Sequence, residues 1–476
     1  MIAQVGERHV RSRPALLATY ARDALPTLAR RPAFAIFPGS RDEVAGVLRI
    51  LHHYGVAFVA RGAGTGLSGG ALADRDAALI VLTRLNRILE IDSSNHSALV
   101  EPGVVNATLS AAVAPLGLHY APDPSSQTAC TLGGNVAENA GGPHCFKYGV
   151  TTNHILELEV VLPNGTVTTL GSPSGASWGP DLVGLFVGSE GMFGIATAIR
   201  VRLLPLPGAV RTLLASFPTL RTAGTAVSAI IEGGIVPAAL EMMDQTCIRV
   251  VEASRYAAGY PTDAAAVLIV ELDGPEADAL DHQVPAVEAI LRRAGATEVR
   301  VAADPAARER LWQGRKKAFG ALGRLSPDLM VQDAVVPRTA LPDVLDAISA
   351  IGERHGLTIG NVFHAGDGNL HPNICFDGAD PAERGRAEEA MGEIMTLCVG
   401  AGGTITGEHG VGLDKLRYMT TIFSPTTLGA MRAVRRVFDV QERANPGKVL
   451  PIHSCREWGG RVEKVKSGRV EELVKG

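Results

Sequence analysis

The chain has 476 residues, 46% hydrophobic and 20% charged, with 45 Lys+Arg against 49 Asp+Glu and a formal net charge of −4. That length exceeds one ordinary core and implies two or three domains, while the charge balance lacks the basic stripe that nucleic acid demands. Six scattered cysteines without a Cys-x-x-Cys pair exclude an iron–sulfur cluster or four-cysteine zinc site within the chain, and a chain this large needs no disulfide staples.

The N-terminus, "MIAQVGERHVRSRPALLATYARD", is arginine-rich but carries Glu7 and Asp23 and has no signal-peptide apolar region. It is read as a helical lead-in. The stretch "FAIFPGSRDEVAGVLRILHHYGVAFVARG" has the form strand, helix, strand. Ser40 with Glu43 is a capping box, Val44, Val47, Leu48 and Leu51 make one apolar stripe, and Gly55 suits the helix end. Three glycine-dense stretches punctuate this half: "GAGTGLSGGA", "TLGGNVAENAGG" and "FVGSEGMFGIAT". "GTGLSG" matches G-x-G-x-x-G, but a turn and the strand "ALIVL" follow it instead of a helix, which rules out a Rossmann dinucleotide site. Bare backbone N–H groups in such loops can still cradle a diphosphate; the plain alternative for any one of them is a packing loop.

"PLPG" marks a domain boundary near residue 208. The second half opens with the helix "AGTAVSAIIEGG" and the strand "AAVLIVELDG", and helix and strand then recur with short connections. This predicts an antiparallel sheet with helices on one side. No stretch reaches about 18 uninterrupted apolar residues; the nearest, "AGTAVSAIIEGGIVPAAL", is broken by Glu232, Gly233, Gly234 and Pro237. A cytoplasmic protein without its own membrane segment is expected. From 415 to about 445 the pattern is helical, and the tail 453–476 is charged and assigned to no core.

"HAGDGNLHPN" (364–373) lies between the strand-like runs "TIGNVF" and "PNICF". With Asp367-Gly368 as a two-residue turn, His364 and His371 become direct cross-strand partners and Asn373 follows on the same face. Two imidazoles so placed could share a metal ion; a surface hairpin that happens to carry two histidines is the plain alternative. "TITGEHGVG" offers a third ligand, because Glu408 and His409 in an extended segment point to opposite sides. Two histidines and a carboxylate with an open fourth position form a catalytic zinc set, and manganese or iron(II) also fit.

Whole motifs carry a resemblance. "PGSRDEV", "RGAGTGLSGGA", "APDPSSQTACTLGGNVAENAGG", "YGVTTNHILELEVVLPNG" and "GLFVGSEGMFGIAT" resemble the vanillyl-alcohol-oxidase-type FAD domain over about 20–208. The resemblance implies an α+β fold with two subdomains holding FAD. By this likeness Arg61, Gly62, Ala63, Gly64, Thr65, Gly66, Ser68, Gly69 and Gly70 wrap the diphosphate. Pro122, Asp123, Ser125, Ser126, Gly133, Gly134 and Asn135 line the adenosine and flavin side; Gly142, Tyr148 and Gly149 continue the wall; Glu190, Gly194 and Ile195 close it. The first loop has Thr65 and Leu67 where covalent relatives have a histidine, so non-covalent FAD is expected.

"LWQGRKKAFGALGRLSPD", "VQDAVVPR", "HAGDGNLHPN", "GGTITGEHGVG" and "ANPGKVLP" resemble the C-terminal half of bacterial FAD-linked D-2-hydroxyacid dehydrogenases, the glycolate oxidase flavoprotein subunits and D-lactate dehydrogenases in particular. That likeness runs from Tyr20 to Pro451 and implies a 1–208 FAD domain, a 209–414 α+β substrate cap with an antiparallel sheet, and a 415–452 helical segment returning to the FAD domain. It implies His364, His371 and Glu408 as ligands of a divalent metal, with zinc first choice. His409 is then the base, Arg315 the substrate-carboxylate clamp, Asn373 a substrate or ligand-orienting contact, and Asn445 a return to the flavin. Without the likeness, Arg315 beside Lys316 and Lys317 reads as a solvated helix charge.

Independent chemistry agrees with this. An alcohol is too weak an acid for histidine, with a pKa near 6.5, to deprotonate unaided, whereas a metal lowers the pKa of a bound oxygen by many units. Val331, Gln332 and Phe319 stand where hydroxyglutarate-oxidising relatives carry a lysine and a threonine, which favours glycolate or D-lactate over D-2-hydroxyglutarate. A non-redox transferase like alkyl-dihydroxyacetone-phosphate synthase is a distant alternative, since its run of adjacent histidines is missing here. A FAD-binding scaffold without turnover is a third, opposed by the intact histidine set. With no cluster cysteines, electrons must leave for a partner protein or a quinone. The likeness adds iron–sulfur companion subunits that can bring the chain to a membrane periphery, and a homodimer is compatible with it.

Overall fold

The computed structural model describes residues 1–176, 178–451 and 474; apart from Val474, the charged tail lies outside the described residues. The chain forms two compact units. The first takes Met1–Gly141, Val150–Leu206 and the chain from Glu408 on, and the second takes Gly142–Gly149 and Pro207–Gly407.

In the first unit, β1 (Val10–Arg11), β2 (Phe34–Ile36), β3 (Phe58–Arg61) and β4 (Ala78–Val81) form a sheet in the order β1-β2-β4-β3, parallel except for β1. The expected helical lead-in is realised as short turns, Ile2–Val5, Glu7–His9, Pro14–Leu17 and Ala18–Tyr20, interrupted by β1, whose backbone is claimed by the edge of β2. Between β2 and β3 runs helix α1 (Arg41–Tyr54). Its N-terminus is capped by the Ser40 hydroxyl on the Glu43 N–H, while the Glu43 carboxylate takes the N–H of Gly39. Gly55 ends the helix at φ +68°, and Val44, Val47, Leu48 and Leu51 are fully buried against β2 and β3. A second sheet, all antiparallel, has the order β5-β6-β9-β7-β8, with β5 Ile88–Asp92, β6 Ser97–Val100, β7 Ile155–Val161, β8 Val167–Gly171 and β9 Ile195–Arg202. The second glycine stretch folds as helix α2 (Leu132–Glu138), ended by Asn139 at φ +54°.

The second unit is built on one eight-stranded antiparallel sheet. Its strands are β10 (Ala209–Phe217), β11 (Ala239–Asp244), β12 (Ala266–Gly274), β13 (Glu298–Val301), β14 (Asp328–Val331), β15 (Ala334–Val335), β16 (Thr358–His364) and β17 (Asn369–Phe376). The order is β13-β10-β12-β11-β16-β17-β14, with β15 also on β17. Helices α3 (Leu220–Glu232), α5 (Ala277–Arg293), α7 (Leu341–His355) and α8 (Pro381–Gly400) form one helical layer. Helices α4 (Gln245–Glu252) and α6 (Pro305–Leu322) pack together in another, against Leu214, Met243, Ile269, Val362 and Cys375 of the sheet. Helices therefore cover both faces, not one. The residues say why: every residue of β11 and β17 is buried, which a sheet with a solvated face does not allow.

Two departures from the expected boundaries have local causes. Gly142–Gly149 joins the second unit because the Tyr148 hydroxyl donates to Asp273 Oδ2 at 2.5 Å, the Lys147 ammonium pairs with the same carboxylate, and His144 meets Glu271 at 3.3 Å. The return to the first unit comes at Glu408 instead of 415, because the N–H groups of Val411, Gly412 and Leu413 bond to Glu190 and Ser68. Helix α9 (Pro425–Phe438) completes this return, with the Arg435 guanidinium bonded to the carbonyls of Glu442 and Ala444.

The histidine hairpin is also differently registered. Its turn is the four residues Ala365–Gly368, so His364 pairs with Asn369 and Val362 with His371. Neighbours claim the polar groups of the turn: the Gly366 N–H goes to the Leu240 carbonyl, the Gly368 carbonyl accepts from Val336, and Asp367 Oδ1 accepts from Asn369. His364 and His371 are thus diagonal neighbours on one face, not direct partners. Gly368 has φ +78°, and a Cβ there would stand 2.1 Å from the Val336 carbonyl oxygen. A Gly368→Ala chain is expected to lose about 1–3 kcal/mol, read as a lower midpoint in thermal unfolding by circular dichroism.

Candidate active site

The diagonal register still brings the two imidazoles together, with ring centroids 5.1 Å apart and planes at 88°. Both rings are anchored through Nδ1. His364 Nδ1 lies 2.8 Å from Glu241 Oε1, and His371 Nδ1 lies 3.1 Å from the Gln332 carbonyl oxygen. A carbonyl only accepts, so His371 Nδ1 carries the proton and Nε2 the lone pair; the carboxylate imposes the same tautomer on His364. This is the outer support that metal-ligating histidines use. Asn373 commits its amide N–H groups to the carbonyls of Gly360 (3.1 Å) and His371 (2.7 Å), while its Oδ1 is buried with no partner among the described residues.

Glu241, on β11, pairs in register with His364 and is 1% exposed. Its other oxygen meets Arg315 Nη2 at 2.5 Å, so Arg315 is a buried ion-pair partner and not a solvated helix charge. Helix α6 repeats this arrangement: Arg308, Trp312 and Arg315, at i, i+4 and i+7, face two buried carboxylates on adjacent strands. Arg308 and Trp312 bond to Glu271, which also holds Thr212 and His144. Burial alone would raise the Glu271 carboxyl, but the bonds from Arg308 and His144 outweigh it and hold the group well below the usual carboxylate range. Glu241 was missed in reading the sequence. The available signal was a charge inside an apolar strand run, "AALEMMD", since such a charge must find a partner in the core.

The third element is the chain 404–409. The buried Asp333 carboxylate accepts the Thr406 hydroxyl at 2.6 Å and the Gly407 N–H at 3.0 Å. Glu408 and His409 follow directly on that anchored residue. By residue type, His364 and His371 of the second unit and Glu408 of the first are the two-imidazole and carboxylate set that a divalent cation takes. Asp333 already spends both oxygens on Thr406 and Gly407. Phe319, by contrast, is 47% exposed, so it bears on no buried substrate; Gln332 is fully buried, with both side-chain amide atoms lacking a partner among the described residues.

In the first unit, the residues expected at FAD gather on the glycine loops. Arg61 ends β3, and Gly62–Gly70 follows. Gly64 at φ +76° and Gly69 at φ +75° adopt a backbone that favours glycine, and Gly66 faces open space. Arg61 Nη1, Ser68 Oγ, Thr131 Oγ1, Asn135 Nδ2 and Ser189 Oγ are buried polar atoms with no partner among the described residues. Five orphaned donors on glycine loops fit a polyanionic cofactor such as a dinucleotide. Pro122 accepts from the Asn106 side chain and Ser126 from Cys130, so that stretch is a fixed turn. Gly142, Tyr148 and Gly149 belong to the second unit, where the Tyr148 hydroxyl is taken by Asp273. Packing accounts for two others: a Cβ at Gly194 would lie 2.6 Å from the Val161 carbonyl oxygen, and Ile195 opens β9 opposite Val161. Asn445 donates to the carbonyls of Glu190 (2.5 Å) and Gly70 (3.2 Å).

Comparison with known proteins follows the same division. Residues 206–449 match the family model described as FAD linked oxidases, C-terminal domain, and residues 32–171 match the FAD binding domain. This chain belongs to the FAD-linked oxidases. It is 49% identical over 441 residues to the glycolate oxidase subunit GlcD of Escherichia coli (strain K12), covering 92% of this chain and 88% of the relative. The GlcD of Bacillus subtilis (strain 168) is 40% identical over 433 residues, covering 90% and 92%. A D-lactate dehydrogenase of Anaerostipes hadrus is 32% identical over 426 residues, covering 88% and 90%. Among solved structures, p-cresol methylhydroxylase with substrate bound superposes with a TM-score of 0.80 at 18% identity, covering 94% of this chain and 95% of that one. Alkyldihydroxyacetonephosphate synthase gives 0.73 at 19%, covering 93% and 82%. These two share the fold. The family member is an FAD-dependent oxidoreductase of α+β architecture, and no helix among the described residues is long and apolar enough to cross a membrane.

The buried Arg315–Glu241 pair sets a stability test. Glu241→Gln leaves the Arg315 guanidinium without its counter-charge and is expected to cost about 3–5 kcal/mol in denaturant unfolding. Adding Arg315→Met should recover part of that loss, so the double variant loses less than the two singles together.

Proposed function

We propose that the chain oxidises a small D-2-hydroxy acid, glycolate or D-lactate, to the 2-oxo acid, with non-covalently bound FAD as the immediate acceptor. The observation that carries the reading is the pair of Nδ1-anchored histidines on one face of the hairpin, held as metal-ligating imidazoles are. His364, His371 and Glu408 would hold a divalent metal, zinc fitting best by ligand type. FAD supplies a hydride acceptor, and the metal supplies Lewis acidity toward the substrate hydroxyl. The chain's own residues do the rest. His409 takes the hydroxyl proton, with Asp333 holding the segment that carries it. Arg315, whose Nε is buried without a partner among the described residues, offers the substrate carboxylate a donor, and Asn373 Oδ1 offers an acceptor. Gln332, neutral and fully buried, gives no charge to a second carboxylate, which supports a monocarboxylate over D-2-hydroxyglutarate.

Relatives named as subunits of glycolate oxidase support work within a complex, in which reduced flavin passes electrons to an iron–sulfur companion or a quinone. A cytoplasmic location, peripheral to the membrane through those partners, accords with this.

An anaerobic screen tests the reading: the flavin absorbance should bleach with glycolate or D-lactate and not with L-lactate or D-2-hydroxyglutarate. Chelation should slow bleaching and zinc should restore it; equal rates before and after complete metal removal would rule out the metal's role. His409→Asn should keep its flavin and lower the reduction rate constant about 10²–10⁴-fold.

A further inference from the structure

We propose that Glu190 is a positioning residue for the reaction, its carboxylate holding the turn that follows His409 so that Glu408 and His409 stay in place. This rests on the functional reading above. The resemblance assigned Glu190 to the flavin wall, yet both its oxygens are spent elsewhere. Oε1 accepts the Val411 N–H at 2.7 Å, and Oε2 accepts the Gly412 N–H at 2.8 Å. Two consecutive main-chain donors on one carboxylate fix both the distance and the direction of that stretch.

Glu190 is itself immobilised. It is 5% exposed and sits at φ +49°, a left-handed conformation that a non-glycine residue keeps only when its surroundings enforce it. Its N–H bonds to the Ala137 carbonyl at 2.8 Å, and its own carbonyl takes the Asn445 amide. The turn it holds is equally constrained. Gly410 has φ +83°, and a Cβ there would lie 2.2 Å from Glu138 Oε2 and 2.8 Å from Glu190 Oε1. Gly412 has φ +48°, with a Cβ position 2.2 Å from the Ser68 carbonyl oxygen, which also accepts the N–H groups of Leu413 (2.8 Å) and Asp414 (3.1 Å). Four main-chain bonds to two residues therefore pin 411–414. His409 stands two residues before Val411, the first clamped position, and Glu408 three.

Glu138 completes the arrangement. Burial, and next the Glu190 charge, raise its carboxyl well above the ordinary range, while Glu190, itself raised by burial, has the two N–H donors that favour its ionised form.

The experiment compares Glu190→Gln with the parent holoenzyme. Glutamine offers one acceptor where the turn has two donors. Flavin content should stay at the parent's level, while the rate constant for flavin reduction by glycolate falls about 10–100-fold, as expected of a displacement near 1 Å. The glycolate KM should change little, since Arg315 and Asn373 are untouched. Independently of turnover, the zinc concentration for half-saturation of the metal-stripped protein should rise about tenfold. Glu190→Asp, which keeps both acceptors at shorter reach, should recover part of each loss. Gly410→Ala disturbs the same turn while keeping the Glu190 carboxylate in the chain. Its effect should not add to that of Glu190→Gln, and it keeps the test open where Glu190→Gln fails to fold. Parent-like reduction and parent-like zinc affinity in Glu190→Gln overturn the proposal, as does loss of flavin with zinc affinity intact. Failure of the parent to be reduced by any 2-hydroxy acid would instead refute the functional reading, and the zinc titration still decides the role of Glu190.

Discussion

The second unit depends on one interaction, the grip of a single buried carboxylate on a guanidinium and a neutral imidazole. Glu241 sits in the interior of an eight-stranded sheet, and a charge there survives only when matched and hydrogen-bonded. It is matched by the Arg315 guanidinium from helix α6 and hydrogen-bonded to the His364 ring on the neighbouring strand. The sheet supplies the register that puts Glu241 beside His364, and the helix supplies the seven-residue reach that brings Arg315 over them. The fold thereby fixes two functional groups through a residue that touches no substrate in the proposed reaction.

Much of this was legible in the sequence, and the misses have physical causes. The capped helix α1 was readable because Ser40, Glu43, Gly55 and the apolar stripe are local signals. The pairing of His364 with His371 was readable only as far as the face they share. Asp367-Gly368 suggested a two-residue turn, but the Leu240 carbonyl and the Val336 N–H come from elsewhere in the chain and stretched it to four residues. The second layer of helices on the sheet was hidden for the same reason. A strand such as "AAVLIVELDG", buried on both faces, has no alternation to show which face is covered. Phe319 illustrates the converse error: one turn past Arg315 it shares that residue's side of helix α6 yet is exposed, because a shared helix face does not by itself bury a side chain.

Around the cofactor the sequence revealed more than the geometry alone would have. Glycine-dense loops have too few side chains to make obvious sites, and their backbone conformation is their only structural statement. Motif likeness named the loops, and the orphaned donors of Arg61, Ser68, Thr131, Asn135 and Ser189 give that likeness its physical content. The tight packing at Gly194 and Ile195 shows the limit of carrying a motif over whole, since some of its residues serve the sheet.

The order in which the chain visits its two units has a consequence for biosynthesis. Strand β3, which opens the first glycine loop, receives the main chain of Arg443, Ala444 and Asn445 along its start, and the Lys448 ammonium closes on the carbonyls of Gly70 and Leu72. A ribosome delivers those residues only after the whole second unit has emerged. The nascent first unit must therefore wait, with its nucleotide cradle unfinished, until the last tenth of the polypeptide arrives. Truncation near the C-terminus would then remove the cofactor's seat and not a dispensable end.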